Sequence, residues 1–295
     1  MLVSILVNCF NGGEFLERAL NSICNQSYRN IEIIFVDNNS TDNSSHIIKN
    51  YNFDGIPVKY VKNEKTVPLY NSRNIGLKQC SGELIAFHDV DDYWSPIKLD
   101  RQVSVFLTNP EISILCSNFY ICDRDLSVIK KFKKKFVNHY KGIEKLSEIY
   151  DVGLLTLLIK KEVFNCVGNF NSNFTIIGDY EFILRSSVLF NVYFLNEFLA
   201  YYSIHGNNIS TLKREMHKDE INLMLSQIST GKSMIPGKYI GPLKDNLYRM
   251  IAVDAIRSSN TAKFYDSLRK INNLKIALKL KLLIYYMYSN FKKFC

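Results

Sequence analysis

No stretch of this 295-residue chain approaches the roughly 18 consecutive apolar residues that a membrane span requires. The N-terminus runs straight into a strand-like pattern, without the charged start and apolar core of a secretory signal. No two of the seven cysteines (Cys9, Cys24, Cys80, Cys116, Cys122, Cys166 and Cys295) form a CxxC pair, which argues against structural zinc. Their odd number, with Cys116 inside the apolar run ISILC, points to small buried hydrophobes in a reducing compartment. Glycines in GxGxxG spacing are missing, which disfavours a dinucleotide-binding oxidoreductase. No internal repeat or low-complexity linker interrupts the chain. The expectation is a cytoplasmic protein, at most peripheral to the inner face of a membrane.

What is present describes a folded protein. Hydrophobic residues make up 47% and aromatics 13%, well above the composition of a disordered chain. The formal charge of +9 is unevenly placed: residues 213–295 carry 16 basic and 6 acidic side chains, leaving 21 and 22 in residues 1–212. The whole positive excess therefore lies in the last part, and suits an anionic surface such as nucleic acid or membrane headgroups.

Along the chain, apolar runs at Leu2–Val7, Ile31–Val36, Val58–Val61 and Leu84–Phe87 read as strands. Between them, Phe15, Leu16, Ala19, Leu20 and Ile23, then Ile47, Ile48 and Tyr51, then Leu69–Cys80, recur at helical spacing. That alternation predicts a parallel α/β sheet. Each strand ends in polar residues: Asn8 and Asn11, Asp37 and Asn38, then Asp89 and Asp91. Such clusters on one sheet edge describe a ligand crevice. Further strands are expected at Ile112–Cys116, Leu154–Ile159 and Val192–Ile204, with a hairpin over Phe119–Val128 and short helices at Lys161–Cys166 and from Gly178. Beyond Leu212 the pattern turns helical, which predicts a boundary near that residue.

The run LIAFHDVDDYWSP (Leu84–Pro96) is the most informative. Asp89, Asp91 and Asp92 crowd the end of a buried strand, where their mutual repulsion needs a cation or tight hydrogen bonding to offset it. A hard divalent cation held by one or two carboxylates plus substrate phosphates fits. A solvated acidic turn capping the next helix is the alternative.

Five segments in order (VSILVNCFN, IEIIFVDNNSTD, NSRNIGLKQCSGELIAFHDVDDYWSP, GNFN and GDYEFILR) resemble the successive motifs of family 2 glycosyltransferases, over residues 2–210. The resemblance implies a GT-A fold, a Rossmann-like and mostly parallel sheet flanked by helices, over residues 1–212. Residues 213–295 would be a basic helical appendage. It also implies an inverting transferase using a nucleotide sugar and a divalent metal, Mn²⁺ or Mg²⁺. On this likeness Asn8, Phe10, Asp37 and Asn38 meet the nucleotide, with the Phe10 ring on the base and the Asn38 oxygen facing uracil. Arg73 neutralises phosphate. Asp89 and Asp91 match the DxD metal motif, Asp91 before Asp89 as direct ligand. Asp179 matches the general base, and His205 the histidine near metal or diphosphate. Ser203 stands where many members carry Arg.

The chemistry wants these groups. Negative charge grows on the leaving diphosphate, so a cation and Arg73 stabilise it. An acceptor hydroxyl must lose its proton to a carboxylate, Asp179 or, as a fallback, Glu181. The implied substrates are a UDP-sugar carrying a hexose or N-acetylhexosamine, and a lipid-linked glycan on polyprenyl diphosphate, as in bacterial surface-polysaccharide assembly. The basic, aromatic segment 276–288 is expected to lie on a membrane surface or pack as a plain helix, and nucleic acid is not an expected partner. Two other classes stay open. A nucleotidyltransferase would want a basic, glycine-rich loop after the first strand, where NCFNGGEF has none. A nucleic-acid-binding protein would interleave basic and aromatic residues on one sheet face.

Overall fold

The computed structural model describes residues 1–132, 139–206, 208, 213, 215–258, 260–271, 282, 283 and 286. The chain divides into two compact units, Met1–Gly142 with Asp151–Arg214, and Ile143–Tyr150 with Glu215–Cys295. The sequence pattern keeps residues 143–150 with the first part. In the structure they join the C-terminal helices, and the Tyr239 hydroxyl donates a 2.6 Å hydrogen bond to Glu144 Oε1.

The first unit opens with the expected alternation: β1 (Val3–Cys9), α1 (Gly13–Cys24), β2 (Ile31–Asp37), α2 (Ser44–Asn50), β3 (Val58–Lys62), α3 (Leu69–Leu77) and β4 (Leu84–Asp89). Then come β5 (Tyr93–Trp94), α4 (Lys98–Thr108), β6 (Ile114–Cys122), β7 (Val128–Phe132) and β8 (His139–Lys141). After α5 (Ile143–Glu148), which belongs to the second unit, follow β9 (Leu158–Lys160), α6 (Lys161–Val167), α7 (Gly178–Ser186) and β10 (Val192–Ser203). One sheet runs β3-β2-β1-β4-β9-β6-β10-β5, with β7 on β6 and β8 on β10. The first four strands are mutually parallel, as are β6 and β10, while β9 is antiparallel to both its neighbours.

Every residue of β1 and β2 is buried, as continuous apolar runs covered on both faces require. On one face α1 packs Leu16, Leu20 and Ile23, four and three residues apart, against Ile5 and Ile33. On the other, Phe164, Phe170 and Phe182 gather beside Phe87, with the Phe164 and Phe182 rings stacked at 4.8 Å. Burying each ring contributes about 2–3 kcal/mol. This aromatic group fixes α7 beneath the end of β4.

The apolar run 154–159 is not one strand. Leu154–Thr156 forms a 3-10 turn, because Thr156 returns both its backbone N–H (3.0 Å) and its hydroxyl (2.7 Å) to the Gly153 carbonyl. The strand is left with Leu158–Lys160. Likewise the strand at 112–116 and the first hairpin arm merge into β6, and the DRDLS turn closes on Asp123 Oδ1, which accepts from the N–H groups of Asp125 and Ser127.

The second unit contains helices Met216–Ser229, Ile240–Arg257 and Thr261–Lys270. Phe264 is buried there against Ala252, Ala255 and Ile256. Among the described residues no helix is long and apolar enough to cross a membrane. The segment 276–288 lies outside the described residues apart from 282, 283 and 286, and of KKFKKK (130–135), a charge run that in sequence reads as a solvated loop, residues 133–135 lie outside them too.

Candidate functional site

Parallel register brings the polar strand ends level: Asn8 pairs with Asp89 and Cys9 with Asp37. The loops after β1 and β2 are laced together. Asn11, at φ 51°, accepts from the Thr41 N–H at 2.8 Å, and the Gly13 N–H donates to Asp42 Oδ2 at 2.9 Å. A Cβ at position 13 would lie 1.9 Å from Asn43 Oδ1, so a larger residue there would have to displace the Asn43 side chain. Between these loops Phe10 is 50% exposed, its ring open to a flat partner. Asn8 is buried, and its Oδ1 has no hydrogen-bond partner among the described residues.

Asp37 and Asn38 face inward. Asp37 Oδ1 accepts from the Ser40 N–H (2.7 Å) and Oδ2 from the Tyr60 hydroxyl (2.8 Å). Asn38 Oδ1 accepts from Asn63 Nδ2 (2.9 Å) and the Val67 N–H (3.0 Å), while its Nδ2 donates to the Val67 carbonyl (2.8 Å). Both lone pairs of that oxygen are engaged, so a uracil N3–H meets it only once one of these bonds opens. Tyr60, Asn63 and Val67 carried no signal in sequence, because their partners stand 23 to 29 residues away.

At the end of β4 the carboxylates separate into different environments. Asp89 is paired with buried Arg73, whose Nη2 lies 2.7 and 2.9 Å from its two oxygens. Asp91 Oδ2 meets His205 Nε2 at 3.0 Å and accepts from Asn208 Nδ2 at 3.2 Å. The His205 ring stacks on Phe15 at 4.8 Å. Burial, and then the charge of Asp89, push the Asp91 carboxyl above its usual range. Asp92 turns inward, accepting from the Ser203 N–H at 3.2 Å, and burial beside Asp91 and Asp89 raises it further.

Among the described residues no three His, Cys, Asp or Glu side chains gather as a metal-binding group. The donor chemistry of Asp91 Oδ2 with His205 Nε2, beside Asp89, nevertheless fits a Mn²⁺-type divalent cation, which these side chains would hold.

Asp179 opens α7 next to Gly178. The Tyr70 hydroxyl donates to Asp179 Oδ1 at 2.9 Å. Burial raises the Asp179 carboxyl above its usual range, against the opposing pull of Arg73 and Tyr70. Glu181, the expected fallback base, is otherwise engaged. It is buried and forms a two-point ion pair with Arg185, at 2.7 and 3.2 Å. Arg185 in turn holds the carbonyls of Val167 and Asn169. Asn74 grips the same loop, donating to the Phe170 carbonyl at 2.8 Å and accepting from its N–H at 3.1 Å.

Arg73, Asp89, Asp91 and Asp179 line one cavity of about 340 Å³, with Phe119, Phe132 and Tyr202 on its apolar wall. Asn8, Phe10, Asp37 and Asn38 stand at the strand ends without lining it, and His205 is tied to it through Asp91. Another cavity, of about 410 Å³, offers a single carboxylate, Glu111, already bonded to the Tyr140 hydroxyl. It holds no acid–base pair.

Known proteins share this arrangement of elements. Solved structures with similar folds include TarS of S. aureus in complex with UDP-GlcNAc (TM-score 0.69, 16% identity, 92% of this chain and 82% of that one). A mannosyltransferase of Pyrobaculum calidifontis in complex with GDP-Man and Mn²⁺ is another (TM-score 0.65, 14% identity, 98% and 83%). In sequence, an uncharacterized glycosyltransferase of Nostoc sp. is 30% identical over 228 residues, 70% of this chain and 66% of its own length. The Escherichia coli UDP-Glc:alpha-D-GlcNAc-diphosphoundecaprenol beta-1,3-glucosyltransferase WfgD is 30% identical over 231 residues, 78% of this chain and 81% of that protein. The model of "Glycosyl transferase family 2" matches residues 4–168, more than half of the chain, and to that family of glycosyltransferases the chain belongs.

Proposed function

We propose that the chain transfers a hexose or N-acetylhexosamine from a UDP-sugar, with inversion, to a hydroxyl of a glycan carried on polyprenyl diphosphate, in bacterial surface-polysaccharide assembly. One observation carries the reading: a phosphate-type cation (Arg73), the two DxD carboxylates and a separate carboxylate (Asp179) share a single cavity. The relative WfgD, whose name states a UDP-Glc donor and a diphosphoundecaprenol-linked acceptor, supports the choice of substrates.

Each residue then has a task. Phe10 offers its exposed ring to the base, and the β1 and β2 ends with Asn8, Asp37 and Asn38 frame the nucleoside. Arg73 faces the diphosphate and stabilises the charge that grows there as the sugar leaves. Asp91 and His205, beside Asp89, would hold the divalent cation, which when bound adds positive charge to the same leaving group. Asp179 takes the proton of the acceptor hydroxyl on the opposite face of the sugar. The stacked rings of Phe119 and Phe132, 4.6 Å apart, give the acceptor sugar an apolar face to lie on. The basic C-terminal region supplies contact with anionic headgroups near a lipid-linked acceptor.

The test is incubation with single UDP-sugars, Mn²⁺ and a polyprenyl-diphosphate-linked sugar, with mass spectrometry of the acceptor. Gain of one sugar from one donor, strongly reduced in D91A at low Mn²⁺, is expected. Pyrophosphate release, or no reaction with any nucleotide sugar, would overturn the reading.

A further inference from the structure

We infer that Tyr70 is a positioning residue for the base: its hydroxyl tethers Asp179 and fixes how that carboxylate meets the acceptor. The inference rests on Asp179 being the base and goes one step beyond it. Tyr70 sits in the first turn of α3 and is only 2% exposed. Its hydroxyl lies 2.9 Å from Asp179 Oδ1 and 3.3 Å from the Ile176 carbonyl oxygen. A phenol has one proton to give, and the shorter, charge-assisted bond to the carboxylate takes it.

The ring is held from three sides. A Cβ at position 178 would come within 2.5 Å of it, so Gly178 is what lets α7 begin against the ring. Phe170 packs at 5.3 Å, and the Arg73 guanidinium lies 5.1 Å from the ring centroid. One aromatic side chain therefore links the phosphate-facing cation to the base. It also ties both to the loop before α7, whose Ile176 carbonyl it approaches.

The charged and titratable groups facing Asp179 are Arg73 and Tyr70, and both favour its ionised form against burial. A base must be ionised to accept a proton. Removing the hydroxyl raises the carboxyl further and shifts the acid limb of the activity profile to higher pH.

The test is Y70F, which keeps the ring and its packing, compared with wild type and with D179N alone and combined. In Y70F the inference expects kcat to fall about tenfold, the worth of one hydrogen bond to a charged group. The donor KM should be unchanged, the acid limb should move to higher pH, and Y70F should cost nothing further in the D179N background. A slow D179N beside a Y70F with wild-type kcat and pH profile overturns the role of Tyr70 alone. A D179N enzyme as fast as wild type removes the base assignment, and the tether with it. Equal losses from Y70F in both backgrounds would make Tyr70 structural.

Discussion

Arg73 reaches both carboxylate oxygens of Asp89 through one nitrogen, at 2.7 and 2.9 Å, while its Nε has no hydrogen-bond partner among the described residues. The cation is buried, and its direct ion-pair partner, Asp89, is partly exposed, with Asp179 acting on it from farther off. D89N leaves that charge facing a neutral amide. The expected cost is about 2 kcal/mol, below the range for a fully buried pair because Asp89 is hydrated on one side. Urea unfolding of D89N and of R73Q/D89N measures it; the double variant should recover part of the loss.

Chelation should abolish transfer and Mn²⁺ should restore it. In D91A, which removes the carboxylate that His205 and Asn208 meet, the Mn²⁺ concentration for half-maximal rate should rise about tenfold or more. A manganese titration of initial rates reads this directly.

Glu181 and Asp179 lie in the same helical turn, but the proposed function gives them different work. E181Q breaks a buried pair with Arg185 and frees the loop at Val167–Asn169. The expectation is a loss of about 3 kcal/mol in stability, with kcat of the folded fraction retained. D179N should show the reverse, a normal melting curve with transfer lost.

His88 gives a pH dependence to the fold itself. Burial, helped by Lys98, pushes its imidazole from 6.5 down to about 4, where it lies between the Ser22 hydroxyl and the Asp89 carbonyl. Between those values the unfolded chain binds a proton that the folded chain refuses, so stability rises with pH across that window. Acidifying from pH 7 to 4 should remove about 3 kcal/mol through this residue alone. Guanidinium midpoints for wild type and H88Q across that range should show a shallower slope in the variant.

The sheet was readable because its cause is local: an apolar run is a strand wherever helices cover both faces, and the β1, β2 and β4 runs stop where polar residues begin. The strand expected over Leu154–Ile159 overlaps β9, but its antiparallel direction and the 3-10 turn that takes its first half were not readable, since so short a run leaves no period to count. Asp89 and Asp91 stood out as acids crowded at a strand end, whereas Asp179, a helix-start carboxylate by position, was marked only by the family resemblance. Tyr70 did not stand out, because an aromatic in an amphipathic helix reads as core until Gly178, over 100 residues later, brings Asp179 against it. Glu181 misled for the same reason: its partner Arg185 is near in sequence, but the carbonyls that make the pair structural belong to another element.

The most direct test is the ratio of D179N to wild-type transfer rates at saturating UDP-sugar and Mn²⁺. With Asp179 as the proton acceptor in the shared cavity, the ratio should fall by roughly a hundredfold or more while the donor still binds. A D179N enzyme within about threefold of wild type, well short of the general-base range, would contradict it.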